Sequence, residues 1–248
     1  MFRNSLSSFG AYILLLGRTF TKPDKWKEFF RAYIDEVHKL GVNSIPIVLI
    51  ISIFIGAVIA IQMQLNIMSP MLPKYTVGLA VREIILLEFS STIMALILAG
   101  KVGSNIASEI GTMRVTEQID AMEVMGLNSA NYIILPKITA MVTYIPVLVG
   151  FSMAMGFFGA YAIAFFANLM PTQQLTYGFQ AYFKEFYVWY AIFKSLFFGF
   201  IISSVASYYG YSVKGGSREV GEASTNAVVV SSVVILVLDV FITQIMMG

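Results

Sequence analysis

The chain has 248 residues, 58% hydrophobic and 12% charged, with a formal net charge of +2, where a soluble domain carries roughly 25% charged residues. Its mean hydropathy of +0.78 and several apolar runs of about 20 residues, enough to cross a ~30 Å hydrocarbon core, exclude an ordinary soluble fold. So small a charge gives no reason to expect a nucleic-acid partner. The absence of cysteine excludes disulfides and thiolate metal sites.

Residues 1–44 read as a leading interfacial segment. The short apolar run Ala11 to Leu16 and the following Gly17-Arg18-Thr19-Phe20-Thr21-Lys22 do not make a cleavable signal peptide. Trp26, Phe29, Phe30, Tyr33, Ile34 and Val37 form one stripe of a 3.6-period helix. Lys25, Lys27, Glu28, Arg31, Asp35 and Glu36 lie opposite. Pro23 suits its first turn and Gly41 its end. Such a helix lies in the headgroup plane or packs on the protein's own spans.

The remainder, 45–248, divides into about five spans. The first runs from Ile45 to about Gln64, opening with Pro46, and the loop 68–74 follows with two prolines. The second, about Val77 to Gly100, carries Arg82, Glu83 and Glu88. A polar segment, 101–130, separates it from Tyr132 to Leu169, an apolar stretch too long for a simple crossing. That stretch reads as one kinked or tilted helix, with a helix plus re-entrant turn as the alternative. Residues 170–186 read as an amphipathic aromatic loop, and the last spans as Tyr187 to Tyr211 and Ala227 to Met247.

Orientation follows the basic residues near span ends. Arg3, Arg18, Lys22, Lys25, Lys27, Arg31, Lys39, Lys101, Arg114, Lys137, Lys214 and Arg218 fall on one side. Lys74, Lys184 and the outer-end Arg82 fall on the other. The N-terminus and the polar segment are therefore expected in the cytoplasm. No internal repeat suggests an inverted-repeat carrier.

Within the polar segment, Thr116 is expected to cap a helix from Glu117 to Met125, with Glu117, Gln118 and Asp120 near its positive end and Gly126 as a left-handed stop. Upstream, Ile106, Ile110 and Met113 make a second apolar stripe, with Gly111 loosening the backbone between the pieces. Such a helix either seats in a groove of a nucleotide-hydrolysing subunit or merely ties two spans together.

The segment Gly100-Lys101-Val102-Gly103-Ser104, then Ser108-Glu109-Ile110-Gly111-Thr112-Met113-Arg114-Val115-Thr116-Glu117-Gln118-Ile119-Asp120-Ala121-Met122, then Glu123-Val124-Met125-Gly126 strongly resembles the signature of the MlaE-like permeases, membrane subunits of MCE-associated ABC transporters of lipids. The stretches Gly41 to Ile47 and Val220 to Ser231 agree, and the resemblance covers roughly 40–248. Lys101 stands where that family usually has Arg, losing a planar two-pronged donor. Leu87-Glu88 and Ser91 stand where it tends to have Arg-Glu and Pro.

The resemblance implies an all-α membrane protein whose helix between spans two and three couples it to a cytoplasmic ABC ATPase. Glu109, Arg114, Glu117, Gln118, Asp120 and Glu123 are the coupling side chains. It further implies a second copy of the chain, an MCE-domain protein on the far side, the bacterial inner membrane, and phospholipid or a related lipid as cargo. Spans rich in Met, Phe and Gly suit a greasy pathway.

Glu88, costly within a membrane, is a candidate for the substrate pathway or a structural carboxylate, and Lys194 and Asp239 are candidate partners; Lys194 alternatively snorkels to the outer interface. Arg82 and Glu83 read as an interfacial ion pair, and His38 as a bland surface residue. Gly100-Lys101 lacks the flanking Gly and Ser/Thr of a phosphate loop, so no nucleotide or other cofactor is expected in this chain. The loop 214–222 reads as a flexible turn. The competing readings are a membrane-embedded lipid-modifying enzyme, for which Glu88, Lys194 and Asp239 are a poor catalytic set without His or Cys, and a stand-alone channel or carrier.

Overall fold

A computed structural model describes residues 2–23, 25–67, 73–168 and 170–247, with side chains from Ser7 onward. Most of the expected loop 68–74, namely 68–72, and the side chain of Arg3 lie outside the described residues. Helices account for nearly all of the rest, and five are long and apolar enough to cross a membrane: Trp26–Asn66, Tyr75–Val115, Ser129–Phe166, Phe186–Tyr211 and Ser217–Met247. The chain is a multi-pass all-helical membrane protein.

The leading segment contains two helices, α1 (Phe2–Thr19) and α2 (Trp26–Glu36). The sequence pattern showed only the second. α1 lies along the later spans, with the Tyr12 hydroxyl 2.8 Å from Ser204 Oγ and its ring edge-on to Tyr208. α2 does not stop at Gly41. It passes through a π-helical turn, Val37–Gly41, and a 3₁₀ turn, Val42–Ser44, into the first span, α3 (Ile45–Asn66). Gly41 is required for another reason: any side chain there would overlap the Tyr144 ring.

The second span starts as α4 (Tyr75–Ile84), widens into π-helical backbone over Ile85–Ile93, narrows as α5 (Met94–Leu98), widens again over Ala99–Gly103, and leaves as α6 (Ser104–Val115). Then come α7 (Gln118–Val124) and α8 (Ser129–Phe166). α8 is one continuous helix of 38 residues, about 57 Å long, so the re-entrant alternative is excluded. Pro136 and Pro146 lie inside it. Its true start is Asn128, whose side-chain oxygen accepts from the Asn131 amide, capping the first turn.

The stretch 170–186 is not simply a loop, since it holds α9 (Thr172–Gln180) laid against α4. The last spans are α10 (Phe186–Tyr211) and α11 (Ser217–Met247). α11 begins ten residues before the expected Ala227 because Glu219 folds back to accept from the Gly216 amide, half of a capping box. The turn proposed at 214–222 therefore shrinks to Lys214–Gly216.

With lipid offering no hydrophobic drive between helices, span packing rests on close contact. α3 presents Ser52, Gly56 and Ala60 at i, i+4 and i+8, and α8 presents Ser152, Gly156 and Ala160 in the same spacing, all buried. The two serines hydrogen-bond across the crossing at 3.0 Å. A methyl group at Gly56 would overlap the Gly156 carbonyl, and one at Gly159 the Ile53 carbonyl. Backbone cannot yield as a side chain can. Gly56→Ala and Gly159→Ala should therefore each cost about 1–3 kcal/mol, whereas Gly150→Ala, with open space around it, should be neutral; unfolding in detergent would rank the three.

Candidate functional site

Two polar constellations interrupt the apolar body. The first lies at the end of the fold where α6, α7 and the start of α8 meet the ends of α1 and α10. α7 spans Gln118–Val124, shorter than the expected 117–125, and Thr116 does not cap it. The Thr116 hydroxyl instead donates back to the Thr112 carbonyl at 2.8 Å, and Glu117 turns the chain in the left-handed conformation at φ 60°. Gly126, at φ 78°, does stop the helix. Its amide bonds the Glu123 carbonyl and the Leu127 amide bonds the Met122 carbonyl, both at 3.0 Å, which is the paired 6→1 and 5→2 pattern of a Schellman end. Gly111 loosens nothing: α6 is unbroken, and the glycine admits Val213 and Val220 to its backbone.

The expected coupling residues divide by direction. Glu109 points inward, 2.9 Å from the Lys137 ammonium and 2.7 Å from Lys39. Lys137 is buried and also pairs with Glu36 of α2. Glu123 is likewise tied back, with its Oε1 accepting from the Tyr211 hydroxyl (2.8 Å), Ser129 Oγ (3.1 Å) and Arg18 Nη2 (3.2 Å). Arg114 pairs with Asp120 at 2.6 Å and lies over the Tyr211 ring. Glu117, Gln118 and Asp120 face outward alongside Val124 (89% exposed) and Met125 (68%), and Glu123, though tied back, also keeps an exposed edge. Ile119, fully buried, is the nail that holds α7 down.

The second constellation lies within the spans. Glu88 and Thr92 come from the first π-helical stretch, Tyr190 and Lys194 from α10, and Asp239 and Thr243 from α11. Lys194 Nζ, wholly buried, is 2.5 Å from Asp239 Oδ1 and 3.5 Å from Glu88 Oε1. It does not snorkel outward. Thr92 Oγ1 lies 2.9 Å from Asp239 Oδ1 and 3.2 Å from Glu88 Oε2, with one proton to give to either carboxylate, and Tyr190 and Thr243 share a 2.7 Å hydrogen bond. The structure thus brings together Glu88, Lys194 and Asp239. Glu88 alone of the three keeps a largely open side chain, 46% exposed.

Thr92, Tyr190, Thr243, Lys137 and Glu36 were missed by sequence reasoning. A lysine inside an apolar helix does announce that a carboxylate must face it, but which carboxylate depends on helix packing. Arg82 pairs with Glu83 only at 3.6 Å, and its guanidinium donates chiefly to the Phe179 and Ala181 carbonyls ending α9. Among the described residues no cluster of His, Asp and Glu could hold a metal.

Five spans, a short helix held out between the second and third, and a polar knot inside an otherwise greasy bundle define a membrane permease-type protein. The family model described as Permease MlaE matches residues 33–245, and the chain belongs to that family. It is similar to a probable ABC transporter permease protein of Rickettsia bellii, 34% identical over 221 residues, covering 87% of this chain and 83% of that one. A probable ABC transporter permease protein of Synechocystis is 31% identical, covering 87% and 82%. The Haemophilus influenzae intermembrane phospholipid transport system permease protein MlaE is 29% identical over 248 residues, covering 96% and 91%.

Two outcomes follow from this geometry. Lys194→Met leaves two carboxylates facing each other without a counter-charge and should cost about 3–5 kcal/mol, while Lys194→Met with Asp239→Asn should cost clearly less than the sum of the singles, as read by unfolding in detergent. The Tyr211 hydroxyl, with Ser129 and Arg18, holds the Glu123 carboxyl below the usual glutamate range against slight burial. A depressed value means that the stabilisation is full above the ordinary pKa of roughly 4.3 and is lost as pH falls through the lower folded value. Amide exchange in α7, corrected for intrinsic rates, should accelerate at acid pH, and Glu123→Gln should flatten that response.

Proposed function

We propose that this chain is the membrane permease of an ABC transporter that moves phospholipid, works as a pair of copies, and is powered by a separate cytoplasmic ATPase docked on α7. The observation that carries this reading is the outward face of α7. Val124 and Met125 stand almost bare beside Glu117, Gln118 and Asp120, on a helix whose inner side is clamped by Ile119 and Glu123. Bare apolar side chains rimmed by charge suit a protein contact, and the clamp makes the helix a stiff lever. The family supports an ATPase partner, and the name of the Haemophilus relative supports phospholipid as cargo.

The excess of Lys and Arg at the α7 end supports a cytoplasmic side for that end and for the N-terminus, and the family supports the bacterial inner membrane as the location. The family further supports an MCE-domain protein on the opposite side, receiving or delivering lipid between the inner and outer membranes. Glu88 is then the polar group offered to a headgroup in the cavity between two copies, with Lys194 and Asp239 fixing its position.

The test is reconstitution of permease and ATPase in vesicles, reading lipid-dependent ATP hydrolysis. Val124→Asp with Glu117→Lys changes only exposed side chains, so the permease should fold as before while stimulated hydrolysis and association with the ATPase fall at least tenfold, the scale of losing an exposed-face hot spot. Unchanged coupling in that variant would remove α7 as the docking surface.

A further inference from the structure

Outside both constellations, a cleft of about 250 Å³ opens between α2 and the first turns of α8, lined by Lys25, Glu28, Phe29, Leu127, Tyr132 and Pro136. Its depth in the membrane follows from α8. Of about 57 Å of helix, roughly 30 Å crosses hydrocarbon; centred in the bilayer, α8 projects about 13 Å at each end, the length of Ser129 to Lys137, into the headgroup layer. α2 agrees, because it buries no residue and exposes Trp26, Phe30 and Ile34 in one i, i+4, i+8 row, as a helix lying in that layer does. What fills a cleft there is a lipid.

The lining says which kind. The amide nitrogens of the asparagines beside it are already engaged: Asn131 Nδ2 donates to the Thr19 and Thr21 carbonyls, and Asn128 Nδ2 to the Arg18 carbonyl and Thr21 Oγ1. Two charged groups remain, Lys25 and Glu28. They stand three residues apart, Lys25 as the extended N-cap of α2 and Glu28 in its first turn, both on the cleft wall, and neither has an ion-pair partner among the described residues. Among the described residues, a cation and an anion without ion-pair partners thus line the same cleft, which complements a headgroup that carries both charges. A purely anionic headgroup would meet Glu28 as a like charge. A primary ammonium can donate hydrogen bonds to a carboxylate, charge-assisted and so stronger than neutral ones; a quaternary one cannot.

We infer that this cleft is a seat for a zwitterionic aminophospholipid of the leaflet in which α2 lies, its phosphate at Lys25, its ammonium at Glu28 and its upper acyl chain along Phe29, Tyr132 and Pro136. This lipid is a resident and not the cargo: the seat is at the α7 end of the bundle, away from the Glu88 knot. Leu127, the residue that closes the end of α7, forms one wall, so the bound lipid braces the coupling helix from beneath. The seat depends on the position of α2 in the bilayer and not on the transport reading, and its test measures binding alone.

The full-length chain is extracted in mild detergent from vesicles of phosphatidylethanolamine and phosphatidylglycerol in equal parts, and retained lipid is counted by native mass spectrometry. Retention of one phosphatidylethanolamine per chain in preference to phosphatidylglycerol is expected. Lys25→Glu should lower that retention about tenfold, the scale of a lost charge-assisted hydrogen bond, and Lys25→Glu combined with Glu28→Lys should restore most of it, since the pair again offers both charges. Ala32→Trp, which fills the cleft from α2 without touching either charge, should expel the lipid and leave the fold intact. Retention indifferent to headgroup, or unchanged in both Lys25→Glu and Ala32→Trp, would show annular lipid only and overturn the seat.

Discussion

The Lys137 ammonium is the constraint on which the working end of this fold depends. It is buried at 2% exposure on α8, where an unpaired charge is intolerable. Its position therefore forces Glu36 and Glu109 to come to it, and Lys39 completes the group by pairing with Glu109. Those four residues belong to the α2–α3 helix, to α6 and to α8. One buried charge thus fixes where the interfacial helix, the extension of span two and the third span stand relative to one another. Small-residue packing fixes the α3–α8 crossing, and this charge group fixes what that crossing does not reach, the stance of α2 and α6 against α8.

The second polar knot solves a different problem. Around Lys194 the π-helical widening of span two brings Glu88 and Thr92 to α10 and α11, and π-helical turns in helices recur where function needs a side chain displaced from the regular ladder. The cost of Lys194 in the bilayer is met by Asp239, and Thr92 links Asp239 to Glu88. The two knots divide the labour: Lys137 ties together the helices at the α7 end, and Lys194 ties together the spans around Glu88. Between them the bundle is held by small-residue contact at the α3–α8 crossing.

Much of this was legible before any coordinates. Five apolar lengths, the interfacial stripe of α2, Gly126 as a stop and the family signature in 100–126 are all local or compositional, and each is present. What failed was either a neighbour's doing or a competing local bond. Gly41 and Gly111 looked like breaks because glycine lowers helix propensity, but each is there for a passing side chain that sequence does not show. Thr116 looked like a cap until its hydroxyl turned back to Thr112. Asn128 and Glu219 were readable capping signals that the apolar pattern overshadowed, so α8 and α11 start earlier than their hydrophobic runs. Of the buried ion pairs, the grouping of Lys194 with Glu88 and Asp239 was legible because so few charges lie inside the spans, whereas Lys137 reaches carboxylates 28 and 101 residues away among many charged residues, and its partners could not be named.

The arrangement of α7 explains how a force at one end would be felt across the bundle. A push on Val124 and Met125 cannot simply bend the helix away, since Ile119 is packed beneath it and Glu123 is bonded to α1, α8 and α10 at once. It is delivered instead into those three helices and, through Arg114–Asp120, into α6. α6 is continuous with span two, whose two π-helical stretches interrupt the regular α-helical ladder and so are natural places for it to flex. The first of those stretches carries Glu88. A displacement entering at α7 therefore reaches the polar knot through span two, while α10, held by the same Glu123, carries Lys194. Whether Glu88 and Lys194 move together or apart is set by the difference between those two routes, and the tie from Glu123 to Tyr211 is the point at which they are joined.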